Sequence, residues 1–257
     1  MATFAGRATS SLAIYTALQV EKAGSDQLQE AICQLLTLSV AGYPLVALQL
    51  APPPPPTAEE GNHQSRLPDP ADVMRFLQLA VFVPGPLHLS NVSSTGWWYH
   101  DNSTREVIEG LIRVYDQLAE LKISLAQQWI SRPGTGGGGG EPMLIRPMWY
   151  AAPDDPRSWP LVDQFMLGPD LVAVPVFRQY REPNRRVYLP VGTWRLMVNG
   201  KRAVDGRRQY EVPVIDQVPS QQQMGDFVTL ENLFANQTYY FVRSDSTAAA
   251  VAAADDK

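Results

Sequence analysis

Two adjacent tryptophans are the clearest candidates for ligand binding in the sequence. The run Gly96-Trp97-Trp98-Tyr99 places three aromatic rings in succession, and an aromatic ring can stack on the apolar face of a pyranose. Trp97 and Trp98 are therefore candidate substrate-binding residues for a carbohydrate. The competing interpretation, which we favour for such a cluster, is that the rings pack against neighbouring elements of the fold.

The other residues that could bind a metal ion or a phosphate lack the spacing that such binding requires. His63, His88 and His100 fall in different predicted loops without metal-ligand spacing, so we expect no metal site. The glycine run 136–140 lacks the Lys-Ser/Thr pair of a phosphate-binding loop and predicts a flexible linker. The pair Asp154-Asp155 is typical of loop and helix-cap positions. No cofactor is indicated.

Composition narrows the possible partners. The chain has 257 residues, 45% of them hydrophobic, with a net charge of −5. This is typical of a globular protein with a substantial core, and it offers no basic face for nucleic acid. The only cysteine, Cys33, excludes an internal disulfide. No apolar run reaches the roughly 18 residues of a membrane-spanning helix, and the first residues lack a signal-peptide pattern.

Three N-x-Ser/Thr sequons make Asn91, Asn102 and Asn236 candidate N-glycosylation sites. Such sites are used on surface loops of proteins that pass through the secretory pathway. The sequons therefore favour a lumenal or extracellular location.

Helix and strand patterns alternate in the first half. Ser25 is placed to cap a helix ending near residue 40, and a short buried strand follows at 42–48. A second helix is expected at 69–79, then a buried strand at 80–84. A long helix with apolar residues at helical spacing is predicted at 104–129. This order predicts βα units of a parallel sheet or barrel.

After the glycines the pattern changes to short strands that predict an antiparallel sandwich. These strands are expected at 143–150, 171–177, 186–189, 193–198, 209–214 and 237–243. Pro190 and Gly192 predict a hairpin between two of these strands. A five-proline run at 52–56 predicts an extended spacer within the first half. The predicted division is an α/β part at 1–133, a Gly-rich linker at 134–140, a β-sandwich at 141–245 and a disordered tail at 246–257.

Four linked segments carry a family resemblance. They are PMLIRPMWY at 142–150, DQFMLG at 163–168, LVAVPV at 171–176 and VYLPVGTW at 187–194. Their order and spacing resemble the region that follows the catalytic barrel in glycoside hydrolase family 31. The spacing is most similar to the subgroup of the myogenesis-regulating glycosidase and the SITS-binding proteins.

The resemblance implies a fold and an activity. It implies the C-terminal strands and helices of a (β/α)8 TIM barrel followed by the β-sandwich, and a hydrolase acting on O-glycosyl bonds of an α-linked glycoside. Members of the similar subgroup resemble single-pass membrane proteins with a lumenal or extracellular glycosidase domain. A membrane link would thus lie in an N-terminal segment absent from this chain.

The family's catalytic pattern is not matched residue by residue. Retaining glycosidases use two carboxylates about 5 Å apart, and the family supplies both as Asp. The nucleophile strand would precede Met1, and the acid would fall near Gln19, where no Asp stands. Gln49 occupies the position of an Asp that holds sugar hydroxyls. His88 lies one residue from a substrate-binding His of the family.

We therefore assign no catalytic residue, and we retain Gln49 with the two tryptophans as substrate-binding candidates. Three explanations stay open. The chain could be an incomplete gene product, a catalytically inactive homologue that binds glycan or another ligand, or an enzyme with unusual catalytic residues.

Overall fold

The computed structural model describes most of the chain in separate stretches, which are residues 15–20, 25–50, 70–89, 102–130, 143–176, 181–199, 201–202, 209–212, 224–234 and 236–244. The proline spacer, the Gly-rich linker and the tail expected from the sequence lie outside these residues. The boundaries of the predicted division therefore stay predictions.

The first part of the chain is a parallel sheet with helical connections. Its elements are β1 (Tyr15–Val20), α1 (Ser25–Val40), β2 (Leu45–Leu50), α2 (Pro70–Ala80), β3 (Leu87–Leu89), α3 (Asn102–Gln117) and α4 (Ala119–Ile130). The strands pair in the order β1-β2-β3, both pairs parallel. The predicted βα alternation is confirmed.

Helix α1 has the bounds that the sequence predicts. Its buried residues, including Leu28, Ile32 and Leu35, recur at helical spacing on one face. Gly42 follows with φ of +95°, a conformation that stops a helix at little steric cost. The amide of Tyr43 then donates to the carbonyl of Leu38 at 3.0 Å and closes the end of the helix.

The buried strand expected at 80–84 is wrong. The amides of Val81, Phe82 and Val83 donate back to residues 77, 79 and 80, so this run closes the end of α2. The strand that pairs with β2 here is β3, which begins a few residues later along the chain. An apolar run of this length has no periodicity that separates a buried strand from a buried helical turn. The long helix is nearly continuous, with a single non-helical residue at Leu118 between α3 and α4.

The second part is a β-sandwich. Its elements are β4 (Ile145–Arg146), α5 (Met148–Ala151), β5 (Phe165–Leu167), β6 (Leu171–Val174), β7 (Arg181–Leu189), β8 (Gly192–Val198), β9 (Lys201–Arg202), β10 (Gln209–Val212), β11 (Asp226–Phe234) and β12 (Tyr239–Arg243). One sheet has the order β10-β8-β12-β6-β5-β4, with β9 beside β8, and the other consists of β11 and β7. Buried side chains of both sheets form one core, which includes Val172, Phe241, Val187 and Leu230. The antiparallel sandwich is confirmed.

Two local expectations for this part are corrected. Only Ile145–Arg146 of the predicted strand 143–150 is extended, because Pro147 has no amide hydrogen for the ladder and begins α5 instead. Residues 190–192 do not close a hairpin, since β7 pairs with β11 and β8 pairs with β10 and β12. The chain crosses between the two sheets there, through Gly192 with φ of +141°.

The two parts share a continuous apolar core. Phe82, at the end of α2, contacts Tyr240 of β12 edge-on with ring centroids 5.7 Å apart, and Phe165 of β5 at 6.5 Å. Polar contacts cross the same boundary. The Ser39 hydroxyl donates to the carbonyl of Ile145, and the Gln78 amide donates to the carbonyl of Gln237 at 3.1 Å. The parallel strands are thus held firmly against the sandwich.

Candidate functional site

Three positions singled out in the sequence lie in one row across the parallel sheet. Gln19 of β1 is in register with Gln49 of β2, and Gln49 is in register with His88 of β3. Both glutamines are the penultimate residues of their strands. The row therefore lies at the carboxyl end of the sheet, where parallel α/β folds place ligands.

Burial along β2 shows why Gln49 stands out. Val46, Ala47, Leu48 and Leu50 are all buried, as expected for a strand covered by helices on one face and by other strands' side chains on the other. Gln49 is only partly buried within this apolar segment. Gln49 is the one polar side chain of β2, and it stays a candidate substrate-binding residue.

The row offers hydrogen-bonding groups, and no carboxylate stands in its three strands. An amide side chain both donates and accepts, which suits sugar hydroxyls. The sequences of β1, β2 and β3 contain no Asp or Glu. Retaining hydrolysis requires two carboxylates, and these three strands by themselves do not supply that pair.

The other sequence candidates are distributed differently. Trp97, Trp98 and Asn91 lie outside the described residues, as do His63 and His100. Asn102 begins α3 and Asn236 lies in the turn between β11 and β12, and both are exposed. Within the described stretches there is no group of three His, Cys, Asp or Glu side chains that could hold a metal ion.

The structure adds an aromatic groove that the sequence did not reveal. Trp149, Pro153 and Trp159 line an open groove of about 290 Å³ beside α5. The indoles of Trp149 and Trp159 are 40% and 58% exposed. Both residues stand within or next to the segments that carry the family resemblance, but the strand expected at 143–150 gave no sign that Trp149 faces solvent.

A charge cluster centred on the buried Asp155 carboxylate lies in the same segment, between Pro153 and Trp159. The Asp155 carboxylate accepts hydrogen bonds from the Arg157 amide at 3.0 Å, the Arg157 guanidinium at 2.8 Å and the Tyr188 hydroxyl at 2.8 Å. The hydrogen bond from Arg157 is the main reason that the pKa of Asp155 falls to about 2. The cap role expected for Asp155 is confirmed, at the start of the 3-10 turn Pro156–Ser158.

A second perturbed group lies on α4. Lys122 is buried and its ammonium lies 3.9 Å from the ring centroid of Tyr115. Burial lowers the pKa of Lys122 to about 7, although the nearby Asp116 carboxylate acts in the opposite direction. The described residues provide no hydrogen-bond acceptor for this ammonium.

Comparison with known proteins shows what the sandwich is similar to. Residues 140–245 match the model described as the glycosyl hydrolase family 31 C-terminal domain. The chain is 28% identical over 170 residues to the myogenesis-regulating glycosidase of Mus musculus, covering 65% of this chain and 22% of that protein. It is 25% identical over 144 residues to the SITS-binding protein of Tetronarce californica, covering 55% of this chain and 19% of that protein.

The fold likeness extends beyond the sandwich. A family 31 sulfoquinovosidase from E. rectale, solved with an aza-sugar inhibitor, superposes with a TM-score of 0.63 at 17% identity, covering 90% of this chain and 30% of that one. The chain thus spans about a fifth of the length of each of these two curated relatives. The resemblance predicted from the four segments is confirmed. No helix in the described residues is long and apolar enough to cross a membrane.

Proposed function

We propose that this chain, a homologue of the family 31 glycoside hydrolases, binds an α-linked glycoside at the carboxyl ends of its parallel strands. The reaction served by the whole protein is hydrolysis of O-glycosyl bonds. The observation that carries the proposal is the register of Gln19, Gln49 and His88 in one row at that edge.

The fold proposed for the first part is the C-terminal portion of a TIM barrel. Its support is the β1-α1-β2-α2-β3 order with parallel pairing throughout. A superposition that covers 90% of the chain also includes this part. In a barrel of this kind, ligands bind at the carboxyl ends of the strands, which is where the row lies.

The chemistry proposed for the row is recognition of sugar hydroxyls. Gln49 carries both a donor and an acceptor on a partly buried side chain, which are the groups that recognise a sugar hydroxyl. A site that hydrogen-bonds a sugar hydroxyl discriminates against ligands that lack it. Trp97 and Trp98 remain proposed stacking residues for the same sugar.

A second candidate function is binding without cleavage. It is favoured by one observation, the amide side chains at two positions where the family resemblance implies Asp. Under this alternative the protein would recognise a glycan or another ligand without hydrolysing it.

Two measurements on the same protein separate the candidates. Release of nitrophenol from a panel of aryl α-glycosides reports hydrolysis, and calorimetric titration with α-linked trisaccharides reports binding. We expect binding that Gln49→Ala weakens by at least about tenfold, the usual cost of one buried hydrogen bond. Gln127→Ala, at an exposed glutamine of α4, is the matched control and should leave binding unchanged.

Each result has a defined meaning. Nitrophenol release supports hydrolysis, while binding without release supports the second function. Absence of both binding and release with every glycoside, in a folded protein, would refute the proposal as a whole. Equal weakening by Gln49→Ala and Gln127→Ala would remove the row as the binding site.

The proposed location is lumenal or extracellular. Asn102 and Asn236 are exposed, as a glycosylated asparagine must be, and Asn91 is the third candidate. Expression through the secretory pathway, followed by treatment with peptide N-glycosidase, should reduce the apparent mass. A mass unaffected by the glycosidase would contradict this location.

A further inference from the structure

The groove beside α5 is formed by side chains that proteins usually keep covered. Two indoles are 40% and 58% exposed within a single groove that also includes Pro153. Single exposed apolar residues are ordinary on protein surfaces, but two large aromatic rings sharing one groove are a mark of ligand binding.

The ring of Trp159 is held in position. Its indole N–H donates to the carbonyl of Pro153 at 3.1 Å, so the polar edge is satisfied within the protein and the face is left open. The loop beneath it is fixed by the buried Ser158 hydroxyl, which donates to the carbonyl of Ala152 at 2.9 Å. It is fixed again by the Asp155 cluster. A platform that needs no reordering binds at a lower entropic cost.

The Trp149 ring has a different support. Met148, the residue before it, is fully buried and anchors the short helix α5 to the sandwich core. The ring lies edge-on to Tyr150, with centroids 6.2 Å apart. Both tryptophans therefore project from elements that are packed on their inner side.

The size of the groove decides what fits it. A volume of about 290 Å³ lies at the lower end of the range for small-molecule sites. A stable protein interface needs roughly 800 Å² and 20 to 30 residues on each side, whereas this groove is lined by three residues. A ligand with a flat apolar face suits two aromatic walls.

We infer that Trp149 and Trp159 form a carbohydrate-binding platform that stacks one or two pyranose rings of a glycan. The platform belongs to the sandwich and shares no residue with the Gln19, Gln49 and His88 row. It would act as an auxiliary site that holds a glycan chain on the protein. Only the expectation that the glycan is α-linked rests on the proposed function.

The test is affinity electrophoresis of the full 257-residue chain in native gels that contain dextran, soluble starch or hydroxyethylcellulose. The first two polymers are α-linked and the third is β-linked. We expect retardation by an α-linked polymer, reduced about 3- to 10-fold in apparent affinity by Trp149→Ala or Trp159→Ala and lost in the double variant. Trp159→Phe, which keeps an aromatic face, should retain most of the binding.

Phe234→Ala is the matched control, since Phe234 is 44% exposed on β11 and outside the groove. It should be retarded like the unaltered protein. Circular dichroism of each variant verifies that the fold is intact.

Several outcomes would overturn the inference. They are no retardation by any of the three polymers, retardation that persists in the double variant, and equal loss in Phe234→Ala. A change of oligomeric state in the double variant, seen by light scattering, would identify the groove as a protein interface and would also overturn it. Gln49→Ala distinguishes the two proposals, because it should weaken trisaccharide binding while leaving retardation by the polymers in place.

Discussion

The hydroxyl of Tyr188 on β7 donates a 2.8 Å hydrogen bond to the fully buried carboxylate of Asp155 and accepts one of 3.0 Å from the amide of Gly225. The Arg157 guanidinium also binds both the Asp155 carboxylate and the carbonyl of Gly225. One carboxylate thus ties the Trp159 loop to the β7–β11 sheet. Its loss would leave several buried groups without partners.

The Asp155→Asn variant should lower the free energy of unfolding by about 2–3 kcal/mol at pH 7, because the buried acceptor of hydrogen bonds from Arg157 and Tyr188 loses its charge. Urea denaturation measures the change. The control is Asp154→Asn at the exposed neighbour, which should stay within about 0.5 kcal/mol of the unaltered protein. Equal effects of the two variants would show that Asp155 contributes no more to the free energy of unfolding than an exposed carboxylate does.

The same cluster predicts how stability depends on pH. The pKa of Asp155 is about 2 in the folded protein, against about 3.9 in an unfolded chain. Its contribution, roughly 2–3 kcal/mol, is present above pH 4 and is lost as the pH falls towards 2. Stability measured from pH 6 to pH 2.5 should therefore decline more in the unaltered protein than in Asp155→Asn. Parallel curves would contradict this.

Two glycines should respond to alanine with opposite signs. Gly168 has φ of +63°, and a Cβ there would lie 2.7 Å from Cδ2 of Leu125. Gly168→Ala should lower the free energy of unfolding by about 1–3 kcal/mol. Gly110 lies inside α3, where a Cβ would meet nothing closer than 3.7 Å, so Gly110→Ala should raise it by about 0.5–1 kcal/mol. Denaturant titration of both variants checks the signs.

Burial of Lys122 predicts a rise in stability under alkaline conditions. Its folded pKa of about 7 lies below the value of about 10.4 in an unfolded chain. The unfolded chain therefore binds the extra proton between these values, and stability should increase by about 3 kcal/mol from pH 7 to pH 9.5. Lys122→Met should remove this increase, whereas Arg113→Met, at an exposed residue, should keep it. Thermal melts of the unaltered protein and both variants at pH 7 and pH 9.5 measure the change in stability.

The shared core predicts one cooperative unfolding transition. Phe82 is fully buried between Phe165 and Tyr240, and Phe82→Ala should cost about 3–5 kcal/mol. In the unaltered protein and in Phe82→Ala, the circular dichroism signal of the helices and the tryptophan fluorescence should change in a single shared transition. Ile123→Ala, at a 55% exposed side chain, is the neutral control. Separate transitions for the two signals would show that the parts unfold independently.

Local signals in the sequence predicted the elements with clear ends. Ser25 and Gly42 bracket α1, and the apolar spacing between them has only one helical interpretation. The turn at 80–84 failed because its residues are uniformly buried. Strand β11 was missed because exposed and half-buried residues dominate it, and Asn232 interrupts it with φ of +56°. The crossing at Gly192 depends on which distant strands pair, which no local pattern encodes.

The candidate site was predictable to a similar degree. Gln49 was found because it occupies a position where the family resemblance implies Asp, and its alignment with Gln19 and His88 follows once the strands are parallel. The groove was not predictable, since nothing in the sequence near Trp149 and Trp159 shows which aromatic rings face solvent. Exposure depends on how α5 and the following turn fold back on the sandwich.

The contact of Phe82 with Tyr240 has a practical consequence for dissecting the molecule. Residues 1–133 and 141–257 each contribute side chains to one apolar core, so each piece expressed alone would expose those side chains to water. Produced together as two polypeptides, the pieces should associate and rebuild the same core without a covalent connection. The chain can therefore serve as a split protein, in which recovery of the fold reports that two separately fused partners have met.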